Sequence, residues 1–152
     1  GAFIEKKLGE KVGVKPGDEM KAAINIARKN KIEIVLIDQP IQITFKRLSE
    51  EVTLKEKLRF LSDIIISLIF PKKRIKIDLT KVPEEGMITS MINEVKKRYP
   101  NVYKTLMYER NIYMAKQLIE LIKIGKKTIV IVGAGHENEL LRIIKWNLEK
   151  RN

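Results

Sequence analysis

The sequence has no cysteine and only one histidine, His136. A disulfide scaffold, a cysteine-type zinc finger, an iron–sulfur site and a cysteine nucleophile are therefore excluded. A metal cage of two or three histidines cannot form within the chain, and any Ser-His-Asp triad would have to use His136. Long apolar runs are also missing. The most apolar stretch, Leu61 to Phe70, carries Asp63 and falls well short of the ~20 residues that span a bilayer. There is no low-complexity tract and no internal repeat. The chain opens without methionine or signal peptide, and Gly1-Ala2 reads as a cloning scar on a piece of a longer protein.

What remains is a basic chain of 152 residues, 44% of them hydrophobic. That hydrophobic share excludes disorder throughout, and the length suits one domain, 1–152. Thirty-one Lys and Arg against 19 Asp and Glu give a net charge of +12. A balance of this kind can serve nucleic acid or an anionic membrane surface. Yet 23 of the cations are Lys and 8 are Arg, and base readout leans on Arg. Together with 24 Ile, this usage fits a thermophile's protein better than a nucleic-acid reader.

Periodicity and punctuation predict a helix-rich α/β fold with few, parallel strands. Residues 3–13 read as the tail of a helix. Pro16-Gly17-Asp18 opens the next helix, with Met20, Ala23, Ile24 and Ala27 on its apolar face and an end near Asn30. Ile32–Ile37 is a β-branched run that reads as a buried parallel strand, with Asp38 at its C-terminal end. Pro40 opens a short helix, Ile41–Leu48, and Thr53 caps a longer one, Leu54–Phe70. Residues 71–86 read as a loop, and Met87–Arg98 as an amphipathic helix. Pro100 opens a long helix that buries Val102, Leu106, Ile112, Met114, Leu118 and Ile122 and ends at Gly125. Thr128–Val132 is the second strand, Gly133–His136 its loop, and Glu137–Glu149 the closing helix, with Leu140, Leu141, Ile144 and Leu148 inward. Two strands make a poor sheet, so a partner strand is expected from elsewhere in the parent or from a second copy in a homodimer.

Three constellations carry chemistry. In TIVIVGAGHENEL, glycines permit close approach of a ligand and a helix N-terminus follows. The third glycine of a dinucleotide fingerprint is absent, and so is the Gly-Lys-Ser/Thr of a P-loop. Spacing leaves His136 either a site residue or a cap of the last helix. Tyr108-Glu109-Arg110-Asn111 lies within the long helix, where Glu109 and Arg110 are either site residues or surface ion-pair partners. Asp38 with Thr44 and Arg47 is either a site cluster or a helix cap and its neighbours.

In order, the segments GVKPGDEMKAAINIAR, VLIDQPIQITFKRL, LMYERNIYMAKQL and IVIVGAGHENEL resemble the TraB/PrgY pheromone-shutdown family of archaeal type, related to the Tiki group. They run from Gly13 to Leu140. The resemblance implies an α/β core shared with the erythromycin-esterase/ChaN-like group. It also implies a metal-dependent peptidase acting on a peptide signal, with two G-x-x-H motifs at strand ends. Gly133–His136 matches the second motif, Glu109 and Arg110 match the family's E-R pair, and Asp38, Thr44 and Arg47 match its first acidic segment. Two positions depart from the pattern. Gln39 stands where the family has arginine, and the first G-x-x-H is expected upstream of Gly1, so the site here is half a site. Membrane spans of the parent are expected after Asn152, with this domain outside the bilayer.

On this resemblance, His136 and Glu109 are the metal ligands, for Mn, Co or Zn, with Glu109 alternatively the general base. Arg110 or Arg47 holds an oxyanion or a substrate carboxylate, and Asp38 orders these groups. Gly133 and Gly135 let the chain approach the cofactor. The other class is a non-catalytic module that sequesters a peptide or acts as a membrane-linked regulator, with helix 54–70 as its contact surface.

Overall fold

The computed structural model describes residues 17–69 and 85–150. Of these, 78% are helical and none forms a strand or bridge. The α/β expectation is thereby overturned: no parallel sheet is present among the described residues. The apolar runs 32–37 and 128–132 do stay out of helix, as β-branched segments tend to. But a strand exists only through its ladder, and composition reports a preference without supplying the partner. Leu36 and Ile129, 83% and 85% exposed, lack the cover that a sheet interior would give. The helix tail at 3–13 and the loop up to residue 84 lie outside the described residues.

Contacts divide the described residues into two compact units, 17–36 and 37–69 with 85–150. In the first, α1 (Asp18–Lys29) begins after Gly17 at φ 87° and has an acidic first turn and a basic last one, both favourable to the helix dipole. It ends in a pair of backbone hydrogen bonds, Lys31 N to Arg28 O at 3.2 Å and Ile32 N to Ala27 O at 2.8 Å. This closing motif places Lys31 in the left-handed region, φ 55°, where glycine is usual.

The second unit holds α2 (Ile41–Glu51), α3 (Leu54–Ile69), α4 (Glu85–Arg98), α5 (Pro100–Tyr103), a π-helical segment (Lys104–Tyr108), α6 (Glu109–Lys123) and α7 (Ala134–Glu149). The expected α3 cap is present as a capping box. Thr53 Oγ1 accepts from Glu56 N at 3.3 Å, and Glu56 Oε2 accepts from Thr53 N at 3.1 Å. Glu56, only 4% exposed, also accepts from Asn101 N at 2.8 Å and Asn101 Nδ2 at 3.0 Å. One carboxylate thus joins the starts of α3 and α5. Burial pushes its pKa up, but the hydrogen bonds from Asn101 and Thr53 outweigh burial and hold it below the ordinary range.

Pro100 sits in the first turn of α5, as expected. The winding then widens over Lys104–Tyr108. Thr105, fully buried, donates its hydroxyl to Asn101 O at 3.0 Å and Val102 O at 3.2 Å, drawing on carbonyls at the entrance to the wide turn. The core lies between α6 and α7: Met114, Ala115, Leu118 and Leu140 are buried, with Ile37, Leu121, Val132, Ile143 and Ile144 packed around them. Leu141 and Leu148, expected inward, are 49% and 37% exposed. Gly125 ends the α6 region at φ 76°.

The expected loop at Gly133–His136 is corrected as well. The helix α7 starts at Ala134, Gly133 is its N-cap, and His136 N donates to Gly133 O at 2.8 Å. Gly135 packs closely against two side chains. A Cβ there would sit 3.2 Å from Met107 Cε and 3.5 Å from Ile92 Cδ1.

Candidate functional site

Successive helix residues point about 100° apart. Glu109, Arg110 and Asn111 open α6 and reach three different partners. Glu109 meets α2: Arg47 donates Nε to Oε2 at 3.1 Å and Nη2 to Oε1 at 2.8 Å. Arg47 Nη2 also pairs with Glu51 Oε1 at 2.8 Å, and Lys104 Nζ donates to Glu51 Oε2 at 2.6 Å. Charges of alternating sign thus connect α6, α2 and the π segment. Arg47 is held protonated first by its hydrogen bonds to Glu109, and Lys104 draws Glu51 below the usual carboxylate range.

Arg110 turns to the corner before α2. It donates Nε to Asp38 Oδ1 at 3.0 Å and Nη2 to Asp38 Oδ2 at 2.6 Å, while Nη1 donates to Leu106 O at 3.1 Å. The Gln39 N–H donates to Asp38 Oδ1 at 2.7 Å. Burial pushes Asp38 up, but Arg110 and the Gln39 N–H outweigh it, so its carboxyl lies below the ordinary range. Asp38 is not a helix cap, since the N-cap of α2 is Pro40 and no side chain caps the helix. Gln39 donates Nε2 to the buried Thr44 hydroxyl at 3.1 Å and so fastens the corner to α2.

Asn111 turns inward. Its Oδ1 lies 2.6 Å from Nδ1 of His136, and the two residues are 1% and 8% exposed. With the amide placed this way Oδ1 can only accept, so Nδ1 donates. A neutral imidazole then carries its lone pair on Nε2. Burial first, and the nearby Arg110 charge second, hold His136 below its ordinary 6.5, against the weaker pull of Asp38. The imidazole is therefore neutral at pH 7. Nor does His136 cap α7, which has no side-chain cap.

The structure thus couples Asp38 with Arg110, Arg47 with Glu109, and His136 with Asn111. No hydrogen bond joins Glu109 to His136, and both Glu109 oxygens face Arg47. Among the described residues, no group of three or more His, Asp or Glu side chains is placed to hold a metal. His136 Nε2 fits as a single ligand, whereas Glu109 does not fit while it holds Arg47. Asn111 belongs to the constellation read at 108–111, but spacing alone assigned it no role. Its signal was a polar residue in line with Met114, Ala115 and Leu118, on the apolar stripe of α6.

Comparison with known proteins finds relatives that share much of this chain. An uncharacterized protein of Methanocaldococcus jannaschii is 38% identical over 99% of this chain and 37% of its own length. TraB domain-containing proteins of Bos taurus and Homo sapiens are each 27% identical over 76% of this chain and 30% of theirs. The chain therefore spans about a third of the length of these relatives. No solved structure matches it significantly. The model of the TraB/PrgY/gumN family matches residues 2–141, so the chain belongs to that family.

Proposed function

We infer that this site is one half of a metal-dependent hydrolase centre acting on peptide bonds, with Nε2 of His136 as its working atom. The observation that carries the reading is the 2.6 Å contact between Asn111 and His136. Metal-ligating histidines are held in the same way, through the ring nitrogen that does not bind the metal. A neutral, oriented imidazole is the form a metal or a transferable proton requires. Asp38 fixes Arg110 beside it, and the guanidinium N–H groups left over suit a carbonyl oxygen or carboxylate of a peptide. Glu109 positions Arg47 in this reading and is not a ligand. Further ligands come from outside the described residues. A divalent ion bound there would supply Lewis acidity and an acidified water.

A second reading, peptide capture without cleavage, has its own observation. The helix α3 exposes Leu54 at 71%, Leu58 at 59%, Leu61 at 54% and Ile69 at 63%. An apolar face of this kind suits a partner helix or peptide. The deciding experiment is a thermal-shift titration of the full-length protein with Mn²⁺, Co²⁺ and Zn²⁺. Saturating metal at ~100 times Kd adds about 2.7 kcal/mol. The shift is expected to vanish in His136→Ala, and affinity to fall about 10–100-fold in Asn111→Ala. Equal metal affinity in wild type and His136→Ala would refute the hydrolase reading and leave α3 as the functional surface.

A further inference from the structure

Behind Asn111 lies a cavity of about 200 Å³ between α4, the π segment and the first turn of α7. It is smaller than the ~300–1,000 Å³ sites that take drug-sized ligands. Ile88, Ile92 and Met107 supply apolar surface, and Thr89, Asn93, Asn111 and Asn138 supply neutral hydrogen-bonding groups, with α4 contributing both kinds. Its charges nearly cancel. Lys96 rests 5.2 Å from the centre of the Tyr103 ring, and of the two carboxylates, Glu137 and Glu139, the latter is held by Arg142 at 2.6 Å.

Asn111 belongs to both the cavity and the site. Its Oδ1 serves His136, while its Nδ2 makes no hydrogen bond to a described residue, although the side chain is 1% exposed. No buried side-chain nitrogen or oxygen among the described residues is left unsatisfied. Nδ2 therefore reaches the open space of the cavity, as a donor waiting for an acceptor.

We propose that this cavity is a specificity pocket for one apolar amino-acid residue of a peptide, with Asn111 Nδ2 donating to a carbonyl oxygen of that residue. Apolar surface mixed with amide and hydroxyl groups matches a side chain flanked by its own peptide units. A near-neutral lining favours an internal residue over a charged terminus, because an unpaired charge would be costly to bury. The volume limits the occupant to one residue. Asn111 then has a double task, fixing the imidazole with its oxygen and reading the substrate with its nitrogen. The proposal rests on the peptide-hydrolase reading of the same site.

The test uses the metal-free, full-length protein in EDTA, so that metal binding does not enter. N-acetyl-leucinamide is titrated to millimolar concentration and followed by amide ¹H–¹⁵N spectra. Saturable shifts are expected at the Asn111 side-chain amide and at the Ala134 and Gly135 backbone amides. N-acetyl-alaninamide should bind at least about tenfold more weakly, for want of apolar contact. Thr89→Trp, which places a large ring at an exposed position of the lining, should abolish binding; Gly135→Ala should weaken it by pressing on Met107 and Ile92. Absence of saturable shifts, equal affinity for the two diamides, or full binding by Thr89→Trp would each overturn the pocket. Metal binding lost in His136→Ala while the diamide fails to bind would refute the pocket and leave the hydrolase reading standing. Diamide binding in a protein that binds no metal would support the pocket while removing the metal-dependent hydrolase reading.

Discussion

Replacing Asn111 by alanine tests the central contact of the site directly. The wild-type pair is 2.6 Å apart and nearly fully buried. Truncation leaves Nδ1–H of His136 facing no acceptor, and stranding a buried donor costs about 1–3 kcal/mol. The amide also leaves a void. Because Asn111 lines an existing cavity, water can enter there, so the void adds little beyond the lost hydrogen bond. The loss is about 1–3 kcal/mol. For a chain of this size each kcal/mol lowers Tm by about 2–4 °C, so a drop of about 2–12 °C is expected. Urea denaturation at pH 7.5 should give the same loss from a shifted midpoint at unchanged m-value. The His136 ring should also lose its fixed tautomer, which ¹⁵N shifts of the chain's single histidine read without ambiguity. A variant whose Tm stays within about 1 °C of wild type, with the tautomer unchanged, would refute the claim that Asn111 holds the imidazole.

Because His136 is held below 6.5 in the fold, the unfolded chain binds the extra proton first, so stability should fall as pH drops below about 6.5, seen as a declining Tm. Asn111→Asp puts a negative charge on Nδ1–H and should raise the histidine pKa, reversing that slope, whereas Asp38→Asn removes a supporting charge and should lower it further; NMR titration of the ring reads both. Glu56→Gln must turn one amide N–H₂ toward donors of Thr53 or Asn101 and should cost about 1–3 kcal/mol in urea denaturation. Two left-handed positions should respond with opposite signs: Gly125→Ala should destabilise, and Lys31→Gly should stabilise, each by about 1 kcal/mol in the same assay.

The helices were legible because their signals are local. Thr53 with Glu56, Pro100, the acidic start of α1 and Gly125 mark ends through backbone chemistry within a few residues. The runs 32–37 and 128–132 were legible as non-helical but not as unpaired, since a ladder depends on residues distant in sequence. The glycines of 133–135 suggested a turn. Only the packed structure shows that Met107 and Ile92 lie where a side chain at Gly135 would begin. Asp38, Arg47, Glu109, Arg110 and His136 were all singled out in the sequence, but their pairing was not. Arg47 and Glu109 are 62 positions apart, and Asp38 and Arg110 are 72 apart. Glu109 was expected on a metal and is found on an arginine. Asn111 was named beside Glu109 and Arg110 but given no role, because an asparagine inside an apolar stripe carries no motif of its own, although its place in that stripe shows that it is buried.

The widened turn at Lys104–Tyr108 separates two sets of anchors along the long helix. Asn101, before it, and Lys104, at its start, are tied to Glu56 and Glu51; after it, Glu109, Arg110 and Asn111 reach Arg47, Asp38 and His136. An i→i+5 turn takes one more residue than an α turn, so the stretch absorbs an extra residue without turning the later anchors against the earlier ones. Deleting a single residue within 104–108 and restoring even winding should therefore keep both sets in reach of their partners. A deletion in the regular winding of α6 has no such slack and would turn all that follows by about 100°. The stretch is thus the place where this helix tolerates a change of residue count that its regular turns do not.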